Sequence, residues 1–174
     1  MQTLVMTIIG DDRPGLVDTL SSRIADGGGN WLESRMSHLA GQFAGILRVQ
    51  VDDGGAAALQ AAVGDLKGEG LQVTVRPSDD GENSAAASTA VRLELVGHDR
   101  PGIVREIARA ISARGVNVED LQTGCESAPM SGEPLFRATA QLGLPSGVTM
   151  EDLQTDLEEI ASDLMVDVSL ELGD

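Results

Sequence analysis

Residues 3–9, Thr-Leu-Val-Met-Thr-Ile-Ile, form an almost unbroken apolar run, whereas 91–96, Val-Arg-Leu-Glu-Leu-Val, alternate apolar and polar positions. The first pattern predicts a largely buried strand and the second a strand with one polar face. Each run stops at a glycine, Gly10 or Gly97. Behind Pro14 the positions Leu16, Val17, Leu20 and Ile24 recur at helical spacing, and behind Pro101 so do Ile103, Val104, Ile107, Ala108 and Ile111. Both prolines are expected at a helix start, where the fixed φ fits and the missing N–H is not needed. Gly27-Gly28-Gly29 and Arg114-Gly115 are expected to end these helices, since glycine enters a left-handed cap without steric cost.

Second strands are expected to open at Asn30 and Val116, third strands to cover 43–51 and 135–142, second helices 56–67 and 149–163, and final strands 71–76 and 166–172. The order is βαββαβ, twice. The run Gly10-Asp11-Asp12-Arg13-Pro14-Gly15-Leu16-Val17 returns 87 positions later as Gly97-His98-Asp99-Arg100-Pro101-Gly102-Ile103-Val104, and Asn30 falls on Asn117 at the same offset. With a two-residue insertion the match continues as Ile46-Leu47-Arg48 against Leu135-Phe136-Arg137, then as Leu59-Gln60 against Leu153-Gln154. Similarity of this extent implies a duplicated domain. Residues 77–89 have no apolar periodicity and the composition of a flexible or extended connector. The expected organisation is one domain at 1–76, a linker at 77–89 and a second domain at 90–174. Two helices on one face of an antiparallel βαββαβ sheet make the ferredoxin-like architecture, so the class is α+β with two such units in tandem.

Halves of this size lie near the lower limit for an independent core, so the copies are expected to pack strands or helices between them. With one Trp, two Phe and no Tyr, those cores must be built from aliphatic residues and Met. No apolar stretch approaches the roughly 20 residues of a membrane span, and Met1 leads almost directly into a strand rather than a leader. A cytoplasmic protein without membrane attachment is expected. One cysteine and two histidines form neither an intrachain disulfide nor a zinc spacing, so no metal and no cofactor are expected. The net charge of −16 is carried mostly by the second half, with six basic and sixteen acidic residues over 90–174. Such a surface repels phosphate backbones and excludes direct nucleic-acid binding.

Function must be read from site residues, because this architecture serves many activities. An RNA-recognition sheet needs basic charge and stacking aromatics, and Phe43 and Phe136 in an acidic chain do not supply them. A metal-chaperone module needs paired cysteines in the first loop, where this chain has Asp-Arg-Pro-Gly. The signature Gly-x-Asp-Arg-Pro-Gly-[Leu/Ile]-Val, with an asparagine seventeen residues after the arginine, resembles the ACT family of amino-acid-binding regulatory domains. Two such copies without an attached enzyme are similar to the glycine cleavage system transcriptional repressor family. That resemblance implies a regulator that binds a small amino acid, glycine or similar, between paired domains and controls a partner protein, such as a transcription factor. It places the ligand on the loop after strand one and the start of strand two. The residues indicated are Asp12, Arg13, Gly15 and Asn30, and Asp99, Arg100, Gly102 and Asn117. Where some members carry a side-chain donor at the first motif position, this chain has Gly10 and Gly97, whose contribution would be backbone only.

The loop has a physical case of its own. A residue before proline is pushed toward extended backbone, and the helix start behind it offers N–H groups and partial positive charge to a carboxylate. Asp12 or Asp99 could accept from a ligand ammonium, and the asparagine could bridge either group. Each residue also has a plainer reading. The aspartates could satisfy the helix start, the asparagines could be turn residues with unusual backbone angles, and Gly15 and Gly102 could be packing glycines. His98, standing where the first copy has Asp11, is either a pH-sensitive discriminator or an exposed loop residue. His38 is expected to be incidental, and Cys125 has no partner base that would mark a nucleophile. Trp31, in alternation with Glu33 and Arg35, suggests a strand face that covers an interface, and the acidic helix from Glu151 to Asp163 a solvated face or a docking surface for a basic partner. The function expected is a non-enzymatic sensor. The alternatives are a ligand-independent protein-protein adaptor and a regulatory subunit of an enzyme of amino-acid metabolism, and a homodimer is left open.

Overall fold

A computed structural model describes residues 1–78 and 88–173, which form two compact units. The first runs β1 (Gln2–Asp11), α1 (Leu16–Asp26), β2 (Asn30–Leu39), β3 (Gln42–Val51), α2 (Ala56–Gly64), a 3-10 helix Asp65–Glu69, and β4 (Leu71–Pro77). The second runs β5 (Thr89–His98), α3 (Ile103–Ala113), β6 (Asn117–Ser127), β7 (Pro134–Leu144), α4 (Met150–Leu164) and β8 (Val166–Leu172). Each has one four-stranded antiparallel sheet, in the orders β2-β3-β1-β4 and β6-β7-β5-β8. These are the two ferredoxin-like α+β units expected. Of the connector expected at 77–89, residues 79–87 lie outside the described residues; Pro77 closes β4 and Thr89 opens β5.

Period-two burial builds each core. On β1, Leu4, Met6 and Ile8 are buried and meet Leu16, Leu20 and Ile24 of α1, Leu59 and Val63 of α2, and Leu66 of the 3-10 helix. On β5, Val91, Leu93 and Leu95 meet Ile103, Ile107 and Ile111 of α3 and Leu153 and Leu157 of α4. Leucines so fully withdrawn from water contribute about 1.5–3 kcal/mol each. All the helices lie on one face of each sheet. A bidentate pair adds to the second unit, Arg114 donating to Asp156 at 2.6 and 2.9 Å and tying the end of α3 to α4. Thr149 and Asp152 form a capping box at the start of α4. Part of the acidic helix is therefore employed structurally.

Four expectations are corrected. The insertion between copies has six residues, not two: Gly10 pairs Phe43 while Gly97 pairs Phe136, so Phe136 answers to Phe43 and Gln141, not Arg137, to Arg48. The extra length lies in the hairpin, where a tight Ala40-Gly41 turn is replaced by 128–133. The second helix of the first unit gives way to 3-10 geometry at Asp65, short of 67, and β6 opens at Asn117 rather than Val116. Pro14 and Pro101 stand ahead of the N-caps Gly15 and Gly102 instead of inside the first helical turn.

Candidate functional site

The duplicated loops are pinned alike at both sides. The Asp12 N–H donates to the Gly41 carbonyl at 2.9 Å and the Asp99 N–H to the Pro134 carbonyl at 3.0 Å, so each loop continues its strand ladder onto the neighbouring hairpin. The Arg13 guanidinium donates to the carbonyl of Glu69, at the end of the 3-10 helix, and Arg100 donates to the carbonyl of Asp163, near the end of α4, at 3.0 Å. A cation at a helix C-terminus satisfies an orphan carbonyl and suits the helix dipole. Both arginines thus tie loop to helix.

Gly15 and Gly102 hold φ of 87° and 96° with nothing within 4 Å of an added Cβ. They are turn glycines and not packing glycines, because the left-handed backbone is what an L side chain would resist. With glycine at both N-caps, no side-chain cap closes the start of α1 or α3. Gly10 and Gly97 are the crowded positions, an added Cβ meeting the Gly70 carbonyl or Val166. That crowding explains the absence of a side-chain donor there.

The partners of the motif aspartates were not legible as such. His38 Nδ1 lies 3.4 Å from Asp12 Oδ2, and in the second unit the Asp99 carboxylate lies near enough to the Cys125 thiol to act on its charge. His38 pairs Phe43 as Cys125 pairs Phe136, so the two are one position of the repeat, 87 apart like the asparagines. Partial desolvation, and then the Asp99 carboxylate, push the thiol above the ordinary thiol range. On the opposite face, Gln42 donates to Asp11 at 2.7 Å and His98 Nδ1 lies 3.5 Å from Glu133. A repeat register extended through strand two would have shown that His38 is not incidental.

Asn30 and Asn117 are not brought to these loops. Asn30 pairs Gln50, which pairs Thr3, whereas Asp11 pairs Gln42; the second unit repeats this with Asn117, Gly143, Ala90 and His98. Eight residues of strand, roughly 27 Å, separate the asparagine from its own unit's motif loop. Among the described non-glycine residues only Ala40 and Met165 have positive φ, so the asparagines are ordinary strand openers rather than strained turn residues. A register shift between Trp31 and Glu33 places Trp31 on the helix face, half-buried on the core, so it shares no face with Glu33 and Arg35. The same shift recurs between Val118 and Asp120. With Val118 and Thr123 where the first unit has Trp31 and Met36, the second unit keeps an apolar hollow of about 50 Å³ between α3 and β6. Its lining offers a zwitterion no charged partner.

Comparison with known proteins agrees with this geometry. ACT domain profiles match residues 2–76 and 91–139. Phosphoserine phosphatase SerB2 of Mycobacterium tuberculosis is 28% identical over 173 residues, covering 97% of this chain but only 40% of that protein. A crystal structure of an unknown protein from Galdieria sulphuraria is 26% identical, with 99% of each chain covered and a TM-score of 0.83. A candidate glycine cleavage system transcriptional repressor shares the fold at 18% identity, with 99% and 98% covered and a TM-score of 0.73. With the family pattern matched in both units and the tandem fold shared end to end, this chain belongs to the ACT domain family.

Proposed function

We propose that this chain is a non-enzymatic sensor whose two motif loops take up a small amino acid, glycine or one of similar size, and whose state is passed to a partner protein. The observation that supports it most is the recurrence of one loop geometry in two divergent sequences: a left-handed glycine, an uncapped helix start, an arginine held aside on a helix end, and an exposed aspartate. The helix-start N–H groups of Leu16 and Ile103 onward suit a ligand carboxylate, and Asp12 and Asp99 suit its ammonium. A contribution from Asn30 or Asn117 requires a second ACT domain, since neither reaches its own loop. A calorimetric screen of the purified chain against the amino acids tests this reading; heats indistinguishable from dilution for all of them would remove it.

A second reading has its own support. The relative that this chain matches over 97% of its length is a phosphatase with further sequence of its own, so the two ACT domains are also proposed as a regulatory part serving an enzyme of amino-acid metabolism. Serine belongs in the screen for that reason. Capture of partners from native extract, with and without glycine or serine, separates the readings: a regulated transcription factor supports the first, an enzyme the second, and ligand-independent capture an adaptor.

A further inference from the structure

The two loops differ chemically at one place. In the first unit the carboxylate of Asp12 faces an imidazole, with the His38 side chain 73% and Asp12 39% exposed, so solvent and ligand reach both. In the second the same register position holds the Cys125 thiol, on which the Asp99 carboxylate acts. An imidazole gains a positive charge between about pH 8 and pH 5, whereas a thiol in this setting stays neutral throughout.

We propose that the residue eight positions into the second strand, His38 in the first unit and Cys125 in the second, sets how much of the motif aspartate's charge a ligand ammonium meets, so that capture is pH-gated in the first unit only. The inference rests on the reading of the loops as amino-acid sites and adds how the two are regulated. Protonated His38 competes with the ligand ammonium for Asp12, so binding weakens as pH falls. The other charged groups around the pair are engaged elsewhere: Asp11 with Gln42 on the far face of the sheet, Arg13 with the Glu69 carbonyl, and the Glu69 carboxylate with Arg23. The strand-three neighbour of His38, Phe43, carries no charge. In the second unit the partner of His98 is Glu133 on the outer side of the hairpin, and Arg100 donates to the Asp163 carbonyl. Neither faces Asp99 as His38 faces Asp12.

The test follows the backbone amides of Gly15 and Gly102 by NMR in the full chain, titrated with glycine, alanine and serine at about pH 5.5 and about pH 8. Affinity at the first loop is expected to rise about two- to fivefold with pH, the range of an exposed ion pair, and at the second to stay level. His38→Cys should abolish the rise in the first loop, and Cys125→His should create one in the second. Equal pH response in two loops that both bind, or variants that leave the responses where they were, would overturn the gating and spare the amino-acid reading. Silence of both loops toward all three amino acids would overturn that reading, and the gating with it.

Discussion

At the positions with φ near 90°, replacement acts through backbone conformation, since Gly15 and Gly102 have open space around them. Gly15→Val should cost about 1–2 kcal/mol for forcing a β-branched residue into the left-handed region, so loss of binding in that variant alone says little about contact. Gly15→Asn separates the effects: asparagine tolerates this backbone, and its amide would lie across the helix-start N–H groups. Urea unfolding should find the variant within a few tenths of a kcal/mol of the parent, while calorimetry finds weaker glycine binding at the first loop. Met165 poses the opposite case. It caps α4 with φ 53° and is largely exposed, where the first unit places Gly70 at φ 86°. Met165→Gly should therefore raise stability by about 0.5–1 kcal/mol, and a lower urea midpoint would show that Met165 contributes packing not evident from its exposure.

Among elements, the loop after strand one is held by a single long side chain to the helical segment ahead of the last strand, the 3-10 helix in the first unit and α4 in the second. Arg13→Ala and Arg100→Ala should each cost about 1 kcal/mol, one hydrogen bond's net worth, and should speed amide exchange at Asp12 and Asp99 more than in the sheet centre. Unchanged exchange would mean that the ladder bonds to Gly41 and Pro134 hold the loops unaided. Elements were readable along the chain because burial leaves periods of two and 3.6, and the motif loops because the chain repeats them. What joins elements was less readable. Both hairpins connect the same strands, but one turns in two residues and the other in six, and an alignment of similar triplets cannot tell which strand residues then face each other. Without the strand pairing the His38–Asp12 pair was not legible, and Asn30, assigned to the site by the family resemblance, lies at the other end of its sheet from the motif loop. Strand pairing, not composition, decides such neighbours.

For the whole molecule, each unit has its own core of buried residues, and the only tryptophan, Trp31, packs on the first. Fluorescence therefore follows the first unit, whereas far-UV circular dichroism follows both. The second unit carries the Arg114–Asp156 pair, whose hydrogen bonds hold the Asp156 carboxyl below the usual carboxylate range, while bonds to Thr149 do the same for Asp152. A carboxyl depressed in the folded state binds fewer protons there than when unfolded. Its stabilising contribution is full above the ordinary carboxylate range and is lost as pH falls through the depressed value. Arg114→Ala should thus lower the melting temperature of the second unit at neutral pH, and the difference from the parent should shrink in acid as Asp156 gains its proton in both proteins. The Trp31 transition should not move if the two cores unfold separately. A fluorescence midpoint that falls in step with the dichroism would show instead that the units unfold as one cooperative body, and a difference that persisted undiminished in acid would assign the effect of Arg114 to its aliphatic packing rather than to its charge.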